Sequence, residues 1–139
     1  MSFSDDINKF TKRTKSQGEA NVRKFVLKIA ESLIFKTPVG DPTYWKSKSV
    51  PKGYAGGTAK ANWQHDFYGF PMSFNDVQDK SGGRTLDSIR RNVLAGGAFQ
   101  THYISNNTPY IERLENGHSK RQAPDGMLKM TLLELRQFL

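Results

Sequence analysis

Between Val39 and Gly57 the chain carries Gly40, Pro42, Pro51, Gly53, Gly56 and Gly57, a composition through which no helix or strand can run. This segment divides the sequence into a helical part before it and a mixed part after it. Connections of this length are uncommon inside a compact domain, and those that are ordered usually carry function. Tyr44, Trp45 and Tyr54 fall within it, so the loop has apolar surface to dock, either over its own core or on a neighbouring subunit.

Upstream, Phe3, Ile7 and Phe10, then Val22, Phe25, Val26, Ile29 and Leu33, recur at three- and four-residue steps, which predicts helix from about 4 to 36. Ser4 suits the N-cap, and Asp5 and Asp6 oppose the positive end of the helix dipole. Thr37-Pro38 stops the helix, because a residue before proline is driven out of the helical region. The stripe weakens over the polar, glycine-containing stretch Thr14 to Gly18, which predicts one long helix or two short ones in line.

Downstream, Thr58 to Phe70, with Trp63, Phe67 and Tyr68, reads as a strand. Residues 71 to 83 read as a polar loop, and Leu86, Ile89 and Val93 mark one face of a short helix that opens near Thr85 and closes at Gly96-Gly97. Alternation from Ala98 to Ser105 predicts a second strand, the partner of the first. In Asn106-Asn107-Thr108-Pro109, Thr108 fits an N-cap and Pro109 the first helical position. Tyr110, Ile111 and Leu114 then point inward, and Gly117 ends that helix with a positive φ. Pro124-Asp125-Gly126 introduces a last helix. Its leucines Leu128, Leu132, Leu135 and Leu139 nearly complete an apolar surround, so it is expected to be buried against the sheet or against another subunit. The reading is a single α+β domain over 1–139: a basic N-terminal helix at about 4–36, an extended loop at about 37–57, and a core of helices on a small antiparallel sheet at about 58–139.

With 36% hydrophobic residues, nine Phe and two Trp in 139 residues, the chain can bury a core. No run approaches the roughly 20 apolar residues of a membrane helix, and the start lacks the order of a secretory signal, so folding in a cytoplasm is expected. Cysteine is absent, which excludes disulfides, thiolate zinc sites and a cysteine nucleophile. His65, His102 and His118 stand far apart with no ligand spacing among them, and neither a metal nor another cofactor is expected. GxSxG, Walker, HExxH and two-metal acidic patterns are missing, and Asp66, Asp76 and Asp79 read as a solvated loop. The expectation is that the chain is not an enzyme.

The balance of 21 Lys+Arg against 13 Asp+Glu, +8 in all, favours a polyanion or an acidic protein surface as partner. Lys9, Lys12, Arg13, Lys15, Arg23, Lys24 and Lys28 share their stretch with only one acid, Glu19. At 100° per residue Lys9, Lys12, Arg13 and Lys24 fall within about half a turn. This stripe is a solvated face, the lining of a channel for DNA, or a docking surface for an acidic neighbour.

Four segments, in order, carry a resemblance: Thr37-Pro38-Val39-Gly40; Gly53-Tyr54 with Gly56-Gly57 leading to Ala61-Asn62-Trp63-Gln64; Tyr103 to Tyr110 (YISNNTPY); and Leu114 to Ser119 (LENGHS) followed by Gln122 to Met127 (QAPDGM). Together they resemble the small neck and tail-completion, or head-tail joining, proteins of tailed bacteriophages. The resemblance implies a structural, non-catalytic helix-and-sheet subunit of the virion that is assembled in the host cytoplasm. Its partners would be further copies of itself in a ring of six or twelve, the neighbouring head-connector and tail-tube or terminator proteins, and phage DNA in the channel, with no membrane. Within these segments Trp63, Asn106, Pro109, Tyr110, Gly117 and Pro124 read as fold-making residues. Tyr44, Trp45, Tyr54, Glu115 and Arg121 read as subunit or partner contacts. Glu115, poorly placed for its own helix dipole, is expected to pair with Arg113, Lys120 or Arg121. The alternatives are a non-specific DNA-binding module that uses the basic helix, and an undetected hydrolase.

Overall fold

A computed structural model describes residues 3–41 and 56–138. The elements run α1 (Phe3–Lys36), α2 (Thr58–Ala61), β1 (Trp63–Asp66), α3 (Gly83–Ala95), β2 (Tyr103–Asn106), α4 (Ile111–Glu115) and α5 (Leu128–Leu135), with a 3₁₀ turn at Arg136–Phe138. The class is α+β, as the sequence predicts. Of the two possibilities for the N-terminal stripe, one unbroken helix is what forms, about 50 Å long.

Only the second half of α1 is built into the body. Val26, Ala30, Leu33 and Ile34 pack with Leu86, Ile89 and Val93 of α3, with Trp63 of β1, and with Ala123 and Met127 ahead of α5. Residues 4–17 are exposed along their whole length. α1 leaves the body near Gly18, where a Cβ would sit 3.5 Å from the Phe99 ring. Thr37 closes the helix by donating its hydroxyl to Leu33 O at 2.6 Å, and its Oγ1 accepts the Trp63 indole N–H at 2.7 Å.

β1 and β2 pair antiparallel, with Trp63 opposite Asn106 and Asp66 opposite Tyr103. The expected partnership is present, but both strands are shorter than predicted. Thr58–Ala61 is helical, because Gly57 enters at φ 94° and Asn62 folds its amide back onto Thr58 O at 2.8 Å. Asp66 ends β1 by accepting from the amides of Phe67 and Tyr68 at 2.6 and 3.3 Å, a local turn that competes with the ladder. Ahead of β2, Gly97 and Gln100 bond to each other, so the chain does not extend until Tyr103.

The turn into α4 also differs from expectation. Asn106 Oδ1 accepts from both the amide and the hydroxyl of Thr108, at 3.0 and 2.7 Å, so that hydroxyl faces backwards and caps nothing. The helix starts two residues later than predicted, and Tyr110 is exposed rather than inward. α5 buries Thr131 and Leu135, whereas Leu128, Leu132 and Leu133 are exposed. Its predicted apolar surround is therefore covered on one side only. On that side Ser32 and Thr131 share a hydrogen bond of 2.9 Å, and Lys36 pairs with Glu134. Tyr44, Trp45 and Tyr54 lie outside the described residues.

Candidate functional site

Glu115 ends the short helix α4, and Gly117, at φ 83°, turns the chain directly behind it. A Cβ at Gly117 would overlap the Pro124 carbonyl, so only glycine admits this crossing. The crossing brings the Glu115 carboxylate to the first turn of α5, where it accepts from the amides of Met127 and Leu128 at 2.9 Å each and of Lys129 at 3.0 Å. These are amides that a helix leaves unsatisfied, at the end where its dipole favours negative charge. The expectation of a basic side chain as the partner of Glu115 is thereby corrected: the residue is an internal cap, positioned twelve residues ahead of the helix it serves. Arg121 is exposed on the turn between the two helices.

The other motif residues join segments in the same manner. Val39 and the Gln122 side chain exchange two hydrogen bonds of 2.8 and 2.7 Å, which ties the exit of α1 to the turn before α5. Asn106 donates its amide to Ala59 O at 2.7 Å and so locks β2 onto α2. Trp63 holds Thr37. The four segments singled out in the sequence thus meet through hydrogen bonds among residues 37–39, 59–63, 106–108 and 115–129. Pro109 and Pro124 are exposed at the turns of this frame.

Asp79 corrects a second expectation. Among Asp66, Asp76 and Asp79, which read as one solvated group, Asp79 is buried. Its carboxylate accepts from the Thr85 amide at 2.8 Å, the Thr85 hydroxyl at 2.7 Å and the Gly82 amide at 3.2 Å. Burial alone raises its pKa; the bonds from Thr85 and Gly82, with Arg84 nearby, outweigh that effect and hold the group below its ordinary value. The residue secures the start of α3.

Two histidines that are remote in sequence meet. His65 Nε2 lies 2.8 Å from His102 Nδ1, His102 Nε2 lies 2.9 Å from Ala98 O, and Asn92 Nδ2 lies 2.8 Å from both His65 Nδ1 and His65 O. A carbonyl can only accept and an amide nitrogen can only donate, so with both rings neutral every ring nitrogen has one role. Asn92 donates to His65, His65 donates to His102, and His102 donates to Ala98. Desolvation, then the neighbouring His102, lowers the His65 pKa against an opposing pull from Asp66. The Phe67 ring stands edge-on to His65 with centroids 4.8 Å apart. At 2.8 Å the two facing nitrogens are closer than the roughly 3.3 Å that separates the ligands of a tetrahedral zinc. Among the described residues, no group of three or more His, Cys, Asp or Glu could hold one.

The basic stripe is spread over two environments. Lys9, Lys12 and Arg13 stand on the exposed first half of α1. Lys24, also exposed, lines a shallow groove on the body with Arg23, Leu27, Lys28 and Leu94. Arg23 is tied down by a 3.0 Å bond to Gly96 O. No helix among the described residues is long and apolar enough to cross a membrane. No family model, curated protein or solved structure matches the chain.

Proposed function

We propose that this chain is a structural subunit of a tailed-phage virion, a neck or tail-completion protein that forms a ring between the head connector and the tail, without catalytic activity. The observation that carries the reading is the use the fold makes of the four resembling segments. Their polar side chains, Thr37, Trp63, Asn106, Glu115 and Gln122, bond to backbone and to one another at the joints between elements. Residues so engaged hold a frame instead of converging on a substrate. The frame leaves α1 to extend beyond the body, and it leaves apolar side chains exposed on α5 and after β1, as a subunit needs if it is to meet several neighbours.

The test is the size of the full-length protein in solution, alone and mixed with the connector and tail proteins of its own virion. A closed oligomer, or entry into the connector complex, is the expected result. A chain that stays monomeric and joins no particle contradicts the reading.

A second reading rests on the exposure of Lys9, Lys12, Arg13 and Lys24: the helix binds DNA without sequence preference, through phosphate contacts. It predicts retention of duplex DNA of any sequence, weakening steeply with salt.

A further inference from the structure

The first half of α1 and the segment after β1 are the two parts of the structure that the body does not explain. Residues 4–17 project for about 20 Å beyond the packed part of α1. Ile7 is 47% and Phe10 69% exposed. On 100° steps Ile7 lies about 40° and Phe10 about 100° from Ile29, at the edge of the core stripe of Val22, Val26, Ile29, Ala30 and Leu33. They carry the edge of that stripe past the point near Gly18 where the packed part of α1 ends, and so stay exposed. Asp6 and Arg13 border the pair on one side and Lys15, farther round, on the other.

Residues 68–77 form the second feature. Backbone and side-chain groups of the odd-numbered residues are held from within. Pro71 O accepts from Ser105 and Asn107 at 2.8 and 2.7 Å, and Ser73 O accepts from Gln64 at 2.7 Å. Asn75 exchanges two bonds with the Asn62 amide, at 2.8 and 2.9 Å. This clamp fixes an irregular segment and leaves apolar side chains exposed along it: Tyr68 is 87%, Phe70, its ring edge-on to Tyr103, 61% and Met72 82% exposed, and Phe74 and Val77 are exposed beside them. Side-chain amides thus hold in place a strip whose largest residues face solvent.

Charge selects what covers the strip. In a chain of +8, residues 61 to 78 contain no Lys or Arg but two acids, Asp66 and Asp76. Of the other exposed apolar positions, Leu94 stands by Arg90 and Arg91, the α5 leucines by Lys129 and Arg136, and Phe35 by Lys36 and Lys60, whereas Phe99 has neither acid nor base beside it in sequence. The arm, with Lys9, Lys12, Arg13 and Lys15 against Asp5 and Asp6, is net basic and matches the strip, which is net acidic. An unbroken helix cannot double back onto the body that it leaves. We propose that the arm of one copy docks through Ile7 and Phe10, with Arg13 and Lys15, on the Tyr68–Val77 strip of a second copy.

Arm and strip are different surfaces, so the contact is head-to-tail and each copy offers one of each; such contacts form a ring when the rotation between copies closes. The inference rests on the ring reading and supplies its contact. The experiment measures the mass distribution of full-length wild-type protein, of Phe10→Asp and of Met72→Asp, with circular dichroism to confirm equal helix content. Both sites are exposed, so folding is retained. Each variant is expected to lose at least about tenfold in association constant. Mixed together, the two variants retain one intact pairing, the Met72→Asp arm on the Phe10→Asp strip, and are expected to give a one-to-one dimer and nothing larger. A wild type that assembles while both variants assemble equally well overturns the arm contact and leaves the ring. A monomeric wild type overturns the ring and the contact with it. Retention of duplex DNA that is lost in Arg13→Glu/Lys15→Glu, with assembly unchanged, assigns the arm to nucleic acid and also overturns the contact.

Discussion

Replacing Glu115 with alanine removes one carboxylate and with it the acceptor for three amides at the start of α5. The amides of Leu128 and Lys129 are exposed, so water takes the place of the lost oxygen there at modest cost. The Met127 amide is partly buried, on a residue whose side chain is wholly enclosed, and water reaches it poorly. Losing a helix cap costs about 1 kcal/mol, and an unsatisfied partly buried amide adds about 1–2 kcal/mol. The expected loss is about 2–3 kcal/mol, or about 6–10 °C in Tm for a domain of this size. Glu115→Gln keeps the shape and one acceptor oxygen but loses the charge, and is expected to cost about 1 kcal/mol. Urea denaturation gives the stabilities, and amide hydrogen exchange at 127–129 locates the effect. If Glu115→Ala stays within about 0.5 kcal/mol of wild type, or exchange at these amides is unchanged, the long-range cap contributes nothing and the reasoning fails.

Gly117→Ala must adopt a positive φ and meet the Pro124 carbonyl, and is expected to cost at least about 2 kcal/mol by urea denaturation; a neutral result would mean that the crossing relaxes freely. Asp79 and His65 both have lowered pKa values in the fold, so the unfolded chain binds more protons. The stability from His65 is complete above about pH 6.5 and falls as pH drops below it, while that from Asp79 is complete above about pH 4 and falls below that. Urea midpoints measured from pH 8 to 3 should fall in two stages, the first absent in His65→Gln and the second reduced in Asp79→Asn, where Glu134, also held below its ordinary value by Lys36, still contributes. Midpoints flat across both windows contradict the two networks. Lys9→Glu/Arg13→Glu/Lys24→Glu places three acids on an exposed helix face and is expected to leave folding unchanged while reducing retention or passage of packaged DNA. Unchanged particle titre argues against a channel-lining role.

Periodicity made α1 and α3 legible, because both bury a stripe that repeats at the helical period. The partnership of the strands was legible too, but not their length. Asp66 and Gln100 fold their side chains onto nearby amides, and local bonds of this kind leave no periodic trace. For Asn106 and Thr108 the sequence signals a turn and the structure has one, yet the hydroxyl expected to cap a helix instead bonds to Asn106. Glu115 and Asp79 read as surface acids because their partners are backbone amides, twelve or more residues away for Glu115 and up to six for Asp79. His65 and His102 are brought together by the register of β1 on β2, which no spacing rule encodes. The clamp on residues 71–75 is built from Asn62, Gln64, Ser105 and Asn107. Taken singly these are ordinary polar residues, and only the antiparallel pairing places them along one edge.

Electron density of the intact neck of a purified virion tests the proposed role most directly. The prediction is a closed ring of this fold at the head-to-tail junction, with each α1 arm resting on the strip of the next copy. A junction complete without any copy of this chain contradicts it.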